Sequence, residues 1–349
     1  MKDQEIHKQR FINFAETECK GNSTLYYKLS LQIAKDPELL DIAAAARQGQ
    51  PIPNIFFAAV HYLLLKTGGA ELAKYYPSIT QNDIDEIPFD LFKEFCLDKA
   101  NEIRKLVSSR IVQTNVISRC SYLMPIFSEI IASEGRPTTI IDIGTSAGLT
   151  LNFDKYEYWY NGIKVFGDSN VHIKSSTIGS PVPKIYPITQ PIRKIGLDQH
   201  LVNPSDKDET LWLKALVWPD QLERFTALDQ ALKLDELKNI NFRQAESVMD
   251  FEREILNVDK KQALIVYATH VLYQFTHEQM NAFYAMLCRV GEVRDFYFLS
   301  VEGIKLLLER YRSNKTVIEL TKFKDRHETK TMLAETNGHG NWTTWKDVE

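Results

Sequence analysis

The chain has 349 residues, 44% hydrophobic and 25% charged, with 42 Lys plus Arg against 46 Asp plus Glu for a net charge of −4. This length supplies a sizeable core for one large domain or two smaller ones, and the acidic balance without a dense basic block argues against nucleic acid as a partner. No run approaches the ~20 apolar residues of a membrane span, the first ten residues hold no apolar signal region, and the four cysteines form no C-x-x-C pair, so a cytosolic protein with reduced thiols and no metal centre is expected.

Helical patterns dominate from Gln4 to about Glu134. Asp36-Pro37-Glu38 reads as a capped helix start leading into Leu39, Leu40 and Ile42, with Gly49 as the stop. A very apolar helix follows from Pro53-Asn54 to Leu65 and ends at Gly68-Gly69. Ile84 to Val107 and Val116 to Ala132 read as two more, the second crossing Pro125 with an expected kink. The composition changes at Gly135-Arg-Pro-Thr, which predicts a helical domain over 1–135 and a second domain over 136–349.

The second domain opens on Thr139-Ile-Ile-Asp-Ile-Gly-Thr-Ser-Ala-Gly148. The β-branched run from Thr138 to Ile143 predicts a buried strand; Gly144 and Gly148 break it, and Leu149-Thr150-Leu151 begins a helical pattern. Such a strand–loop–helix unit places free N–H groups and a helix N-terminus at the carboxyl edge of a sheet, where a nucleotide-like ligand can sit. Two catalytic readings fit. Gly144-x-Ser146-x-Gly148 matches the nucleophile elbow of α/β-hydrolases, with Asp198 and His270 following in the expected chain order. The run Ile-Asp142-Ile-Gly-x-x-x-Gly is similar to the first motif of S-adenosylmethionine-dependent methyltransferases, whose loop wraps the methionine end of the cofactor while the acid helps hold its ammonium. A glycine-tightened turn without a ligand is the third reading. An elbow comes late in its sheet, whereas here only helical chain precedes the loop.

Short β-like runs follow over 164–178 around Gly167-Asp168, then proline-punctuated irregular chain over 179–191. Ile192 to Asp198 is a short strand ending in an acid, and Leu211 to Leu237 is helical with a break at Trp218-Pro219. Asn239 to Arg243, Ala263 to Ala268 and Arg294 to Ser300 are strands, the last two separated by a helix from His277 to Arg289. Thr316 to Lys324 and Glu328 to Glu335 form a terminal antiparallel hairpin around Asp325-Arg326. Five strands with mostly helical crossovers predict an α/β doubly wound sheet.

Several phrases carry a family likeness: Val112-Gln-Thr-Asn115 with Arg119, the Ser-Ala-Gly-Leu of the loop, Gly196-Leu-Asp198, Trp212-Leu-Lys-Ala-Leu-Val-Trp-Pro-Asp-Gln-Leu-Glu-Arg224, and His339-Gly-Asn-Trp342. From about Pro53 to the C-terminus the chain resembles a bacterial domain-of-unknown-function family, numbered 2332, whose members have a Rossmann-like class I methyltransferase fold. That resemblance implies S-adenosylmethionine as cofactor, bound by Asp142, Gly144, Thr145, Ser146 and Gly148. It places Asp198 at the ribose hydroxyls and Gln244, where the family pattern has an acid, near the adenine. The roughly fifty residues between the loop and Asp198 require an insertion at about 160–190.

Tyr267-Ala-Thr-His270 follows the fourth strand, where methyl acceptors approach. His270 is the candidate general base, because imidazole titrates near neutrality, or else a satisfied strand-end histidine. Tyr273 borders the same pocket or fills core. Asn115 and Arg119, one helical turn apart, either clamp an acidic substrate or make structural hydrogen bonds. Trp212, Trp218 and Phe225 read as core. The expected activity is methyl transfer to a small-molecule acceptor; the alternatives are a noncatalytic cofactor sensor and a serine hydrolase.

Overall fold

A computed structural model describes residues 2–82, 84, 86–303 and 315–346. The chain divides into two compact units, Met1–Thr114 with Asn203–Asp229, and Asn115–Val202 with Gln230–Glu349. Helix Cys120–Glu134 therefore belongs with the sheet, although it was expected to close the helical domain.

The first unit is helical, and its capping follows from the sequence. Asp36 accepts from the N–H groups of Glu38 and Leu39 and opens helix Pro37–Ala43. The apolar helix Ile52–Thr67 is buried along almost its whole length and stops at Gly68, whose φ of 64° suits a residue without Cβ. The single helix expected over 84–107 is instead two, Phe89–Asp98 and Ala100–Ser109, broken at Lys99; residue 85 lies outside the described residues.

The tryptophan-rich phrase returns to this unit. Tyr26 stacks on Phe57 at 4.1 Å and Trp218 meets Phe14 edge-on at 5.6 Å, while Trp212 Nε1 donates to Ile111 O at 2.9 Å. Trp212 is buried, as its type and spacing indicated, and Trp218 is half-buried against this aromatic cluster.

The second unit is built on an eleven-stranded mixed sheet among the described residues. Its strands are β1 Thr138–Ile143, β2 Glu157–Tyr160, β3 Ile163–Phe166, β4 His172–Thr177, β5 Ile192–Asp198, β6 Asn241–Gln244, β7 Ala263–Thr269, β8 Phe296–Glu302, β9 Thr316–Lys324, β10 His327–Thr336 and β11 Trp342–Trp345. They run in the order β3-β2-β4-β11-β10-β9-β8-β7-β1-β5-β6. The neighbours β6, β5, β1, β7 and β8 are all parallel, whereas β9 is antiparallel to β8 and forms the expected hairpin with β10. Asp325 and Arg326 take the positive φ values, 52° and 62°, of its tight turn.

Every residue of β1 is buried, as is every residue of β7, which fits parallel strands covered on both faces. β1 pairs directly with β5, so the long stretch between them is an excursion: its strands β2 to β4 join the far end of the sheet through β11. One element differs in kind from expectation. After Gly148 the chain makes a kinked 3-10 turn over Leu149–Lys155, not an α-helix, so the helix-dipole contribution expected at the loop is not available.

Candidate functional site at the carboxyl edge of the sheet

From β1 the chain goes outward through β5 to β6, then returns to β7 and β8 on the other side of β1. The carboxyl ends of β1 and β7 therefore flank a topological switch point, where open parallel sheets characteristically bind ligands. The Gly144–Gly148 loop leaves β1 here, Asp198 ends β5, Gln244 ends β6, His270 follows β7 and Glu302 ends β8.

The loop is held from below by the neighbouring strand. Gly144 and Thr145 both donate their N–H to Leu197 O, at 2.8 and 3.1 Å. Ser146, at φ 53°, donates its N–H to Asp198 Oδ2 at 2.8 Å, and His200 N–H binds the other oxygen at 2.9 Å. Burial nevertheless raises the Asp198 pKa, with those amides acting in the opposite direction. Ser146 Oγ is buried without a hydrogen-bond partner, a state that costs about 1–3 kcal/mol unless a ligand or water engages it.

Gly144 and Gly148 do need to be glycine, for an internal reason. A Cβ on Gly144 would lie 2.2 Å from Val271 Cγ2, and one on Gly148 would lie 2.8 Å from Phe242 Cζ. The space that a close-approaching ligand was expected to use is filled by these side chains. Asp142 likewise turns inward. Its carboxylate, 2% exposed, accepts from Thr150 Oγ1 at 2.9 Å, and Tyr267 lies beside the same network. Desolvation drives its pKa up to about 7. A carboxylate enclosed by hydroxyls anchors the loop from inside and is not presented to a ligand ammonium.

His270 also departs from expectation. It sits at φ 54° with its N–H on Val301 O, and burial, reinforced by Arg119 and His339, lowers its pKa to about 3. The imidazole is therefore uncharged and weakly basic at neutral pH, not poised to titrate there as a general base. Its Nε2 is buried without a partner.

The side chains expected to clamp substrate bind backbone. Asn115 Nδ2 donates to Thr145 O at 2.9 Å; Arg119 donates to Gly338 O and Thr269 O, each at 3.1 Å. They tie the loop, the end of β7 and the Gly338–Gly340 segment together. Tyr273 is 55% exposed, and Gln244, also exposed, donates to Glu246 Oε1 at 2.8 Å.

Glu302 was not singled out by sequence. It is 3% exposed, and its Oε1 accepts from Val271 and Leu272 N–H at 2.9 Å each, fixing the segment that covers Gly144. The one available signal was an acid closing an aromatic-rich, apolar strand.

The hydrolase constellation is not assembled. Ser146 Oγ and His270 Nε2 each lack a hydrogen bond, so they do not bond each other, while Asp198 holds loop amides. A fluorophosphonate probe is expected to leave Ser146 unlabelled. Stoichiometric labelling that vanishes in Ser146→Ala, read by mass spectrometry, would restore the hydrolase reading.

Among the described residues no group of His, Cys, Asp and Glu is arranged to hold a metal, and no helix is long and apolar enough to cross a membrane. No curated protein matches the chain. A family model described as "Uncharacterized protein conserved in bacteria (DUF2332)" matches residues 8–345, and the chain belongs to that bacterial family.

Proposed function

We propose that the switch point around Gly144–Gly148 binds S-adenosylmethionine and that the protein is a Rossmann-like methyltransferase acting on a small-molecule acceptor. The observation that carries this reading is the buried, unbonded Ser146 Oγ in a loop whose backbone is clamped by Asp198 at the neighbouring strand end. Asp198 would accept from ribose hydroxyls, and Gln244, its partner in register on β6, would face the adenine. The loop glycines do not add to the case, since the protein's own packing requires them.

When bound, the cofactor supplies an electrophilic methyl group. The chain supplies position and exclusion of water, which for such transfers provide most of the acceleration. His270, uncharged at neutral pH, offers its unpartnered Nε2 as a hydrogen-bonding group to orient an incoming molecule. Its weak basicity also favours a second reading, a cofactor-binding protein without turnover; the two part on whether any acceptor becomes methylated in an assay of the purified protein.

Calorimetry with S-adenosylhomocysteine tests the cofactor directly, against NAD and a buffer blank. Binding is expected, with Asp198→Ala weakening it at least tenfold, about 1.4 kcal/mol, and Ser146→Ala on the order of 1 kcal/mol. No heat with S-adenosylhomocysteine, or unchanged affinity in a folded Asp198→Ala protein, refutes the assignment.

A further inference from the structure

A cavity of about 370 Å³ opens on the amino-terminal half of β5, beside Ile192 and Lys194. It is remote along that strand from the carboxyl-edge site, and nothing in the proposed methyl transfer uses it. Its volume falls within the range of small-molecule sites.

Its charges are few and specific. Lys194 is 8% exposed, with Nζ 2.5 Å from Asp154 Oδ1 and 3.0 Å from Asn152 Oδ1. Lys155 approaches the other oxygen of the same carboxylate at 3.1 Å. Two ammonium groups thus share one carboxylate, which leaves a unit of positive charge beside the cavity. Only two of the three Lys194 donors are used in these bonds. Glu236, from the turn Asp235–Asn239, lines the same cavity, where its charge acts on Lys194. Met124, Phe166, Ile188 and Ile192 supply apolar wall, and Gln190 and Asn239 line it as well.

The lining charges, Lys155 and Lys194 against Asp154 and Glu236, sum to zero, so both signs border the cavity. A purely anionic guest would satisfy the lysine pair and oppose Glu236, and a purely cationic one would do the reverse. A small molecule bearing both signs matches both, and partly desolvated charges reward such matching.

We propose that this cavity binds a free α-amino acid with an apolar side chain. The carboxylate lies against Lys155 and Lys194, the ammonium against Glu236, and the side chain on the apolar wall.

The test is calorimetry of the intact protein with L-leucine, L-methionine and L-phenylalanine. Two controls carry one charge each, leucinamide without the carboxylate and 4-methylpentanoate without the ammonium. At least one of the three amino acids is expected to bind with Kd below ~1 mM, and its singly charged analogues at least tenfold more weakly. Glu236→Gln and Lys155→Met, at a half-buried and an exposed position, are each expected to weaken binding at least tenfold in variants whose melting curves match the wild type. Ser146→Ala, at the carboxyl edge, should leave it unchanged, which keeps this result separable from the cofactor assignment. Absence of binding by all three, equal binding of 4-methylpentanoate, or indifference to Glu236→Gln in a folded variant overturns the proposal.

Discussion

Gly144→Ala is expected to destabilise the protein by about 3 kcal/mol or more. Two costs combine. A φ of 81° disfavours any L side chain by about 1–2 kcal/mol, and the added Cβ would lie 2.2 Å from Val271 Cγ2, an overpacking worth about 1–3 kcal/mol. Val271 cannot readily retreat, because Glu302 holds its N–H. The double variant Gly144→Ala with Val271→Ala should recover the overpacking part, roughly half, and leave the backbone strain. Urea midpoints of the four proteins measure this coupling. If Gly144→Ala keeps the wild-type midpoint and loses only cofactor affinity, the glycine serves a ligand and the packing explanation fails.

The second large effect is pH-dependent. The folded-state pKa of Asp142, about 7, lies above the ordinary value of 3.8 that it regains on unfolding. Between those values the native state keeps the proton and the unfolded chain releases it. Stability from this group is therefore fully present below about pH 4 and lost as pH rises to about 7. Asp142→Asn retains an oxygen acceptor for Thr150 and has no charge to bury. It should gain stability relative to wild type steadily across this window, reaching on the order of 3 kcal/mol at pH 8. Glu319, whose pKa burial also raises to about 7, adds a parallel slope to both proteins and cancels in the difference. A difference in unfolding free energy that stays flat from pH 4 to pH 8 would mean that Asp142 is ionised and satisfied in the native state.

Local signals were legible wherever backbone chemistry leaves a mark. The Asp36 cap, the stop at Gly68, the strand ending at Asp198 and the hairpin around Asp325-Arg326 all lie where caps, positive φ and alternation put them. The turn after Gly148 was not legible, because three apolar or β-branched residues fit a 3-10 turn as well as an α-helix. The short strands β3 and β4 read only as β-like runs over 164–178 and β2 was not read at all, since their alternation is brief and one edge strand is exposed.

The candidate site was half legible for a similar reason. Gly144, Ser146, Asp198 and His270 were found because residue type and strand-end position are properties of the sequence. Their environments are not. Whether Asp142 faces a ligand or a cage of hydroxyls depends on Tyr267, its cross-strand partner 125 positions along the numbering. His270 loses its basicity to burial and to Arg119. Glu302 matters only because β8 lies next to β7.

The sequence by itself therefore determined the helical first part, the strand–loop unit at Gly144, the terminal hairpin and the list of groups able to do chemistry, since these follow from local backbone preference and periodicity. Tertiary structure alone decided that residues 203–229 pack with the first unit, that the glycine spaces are filled by Val271 and Phe242, and which carboxylates are charged. Desolvation and close packing arise between segments distant in sequence, and no local pattern records which segments will meet.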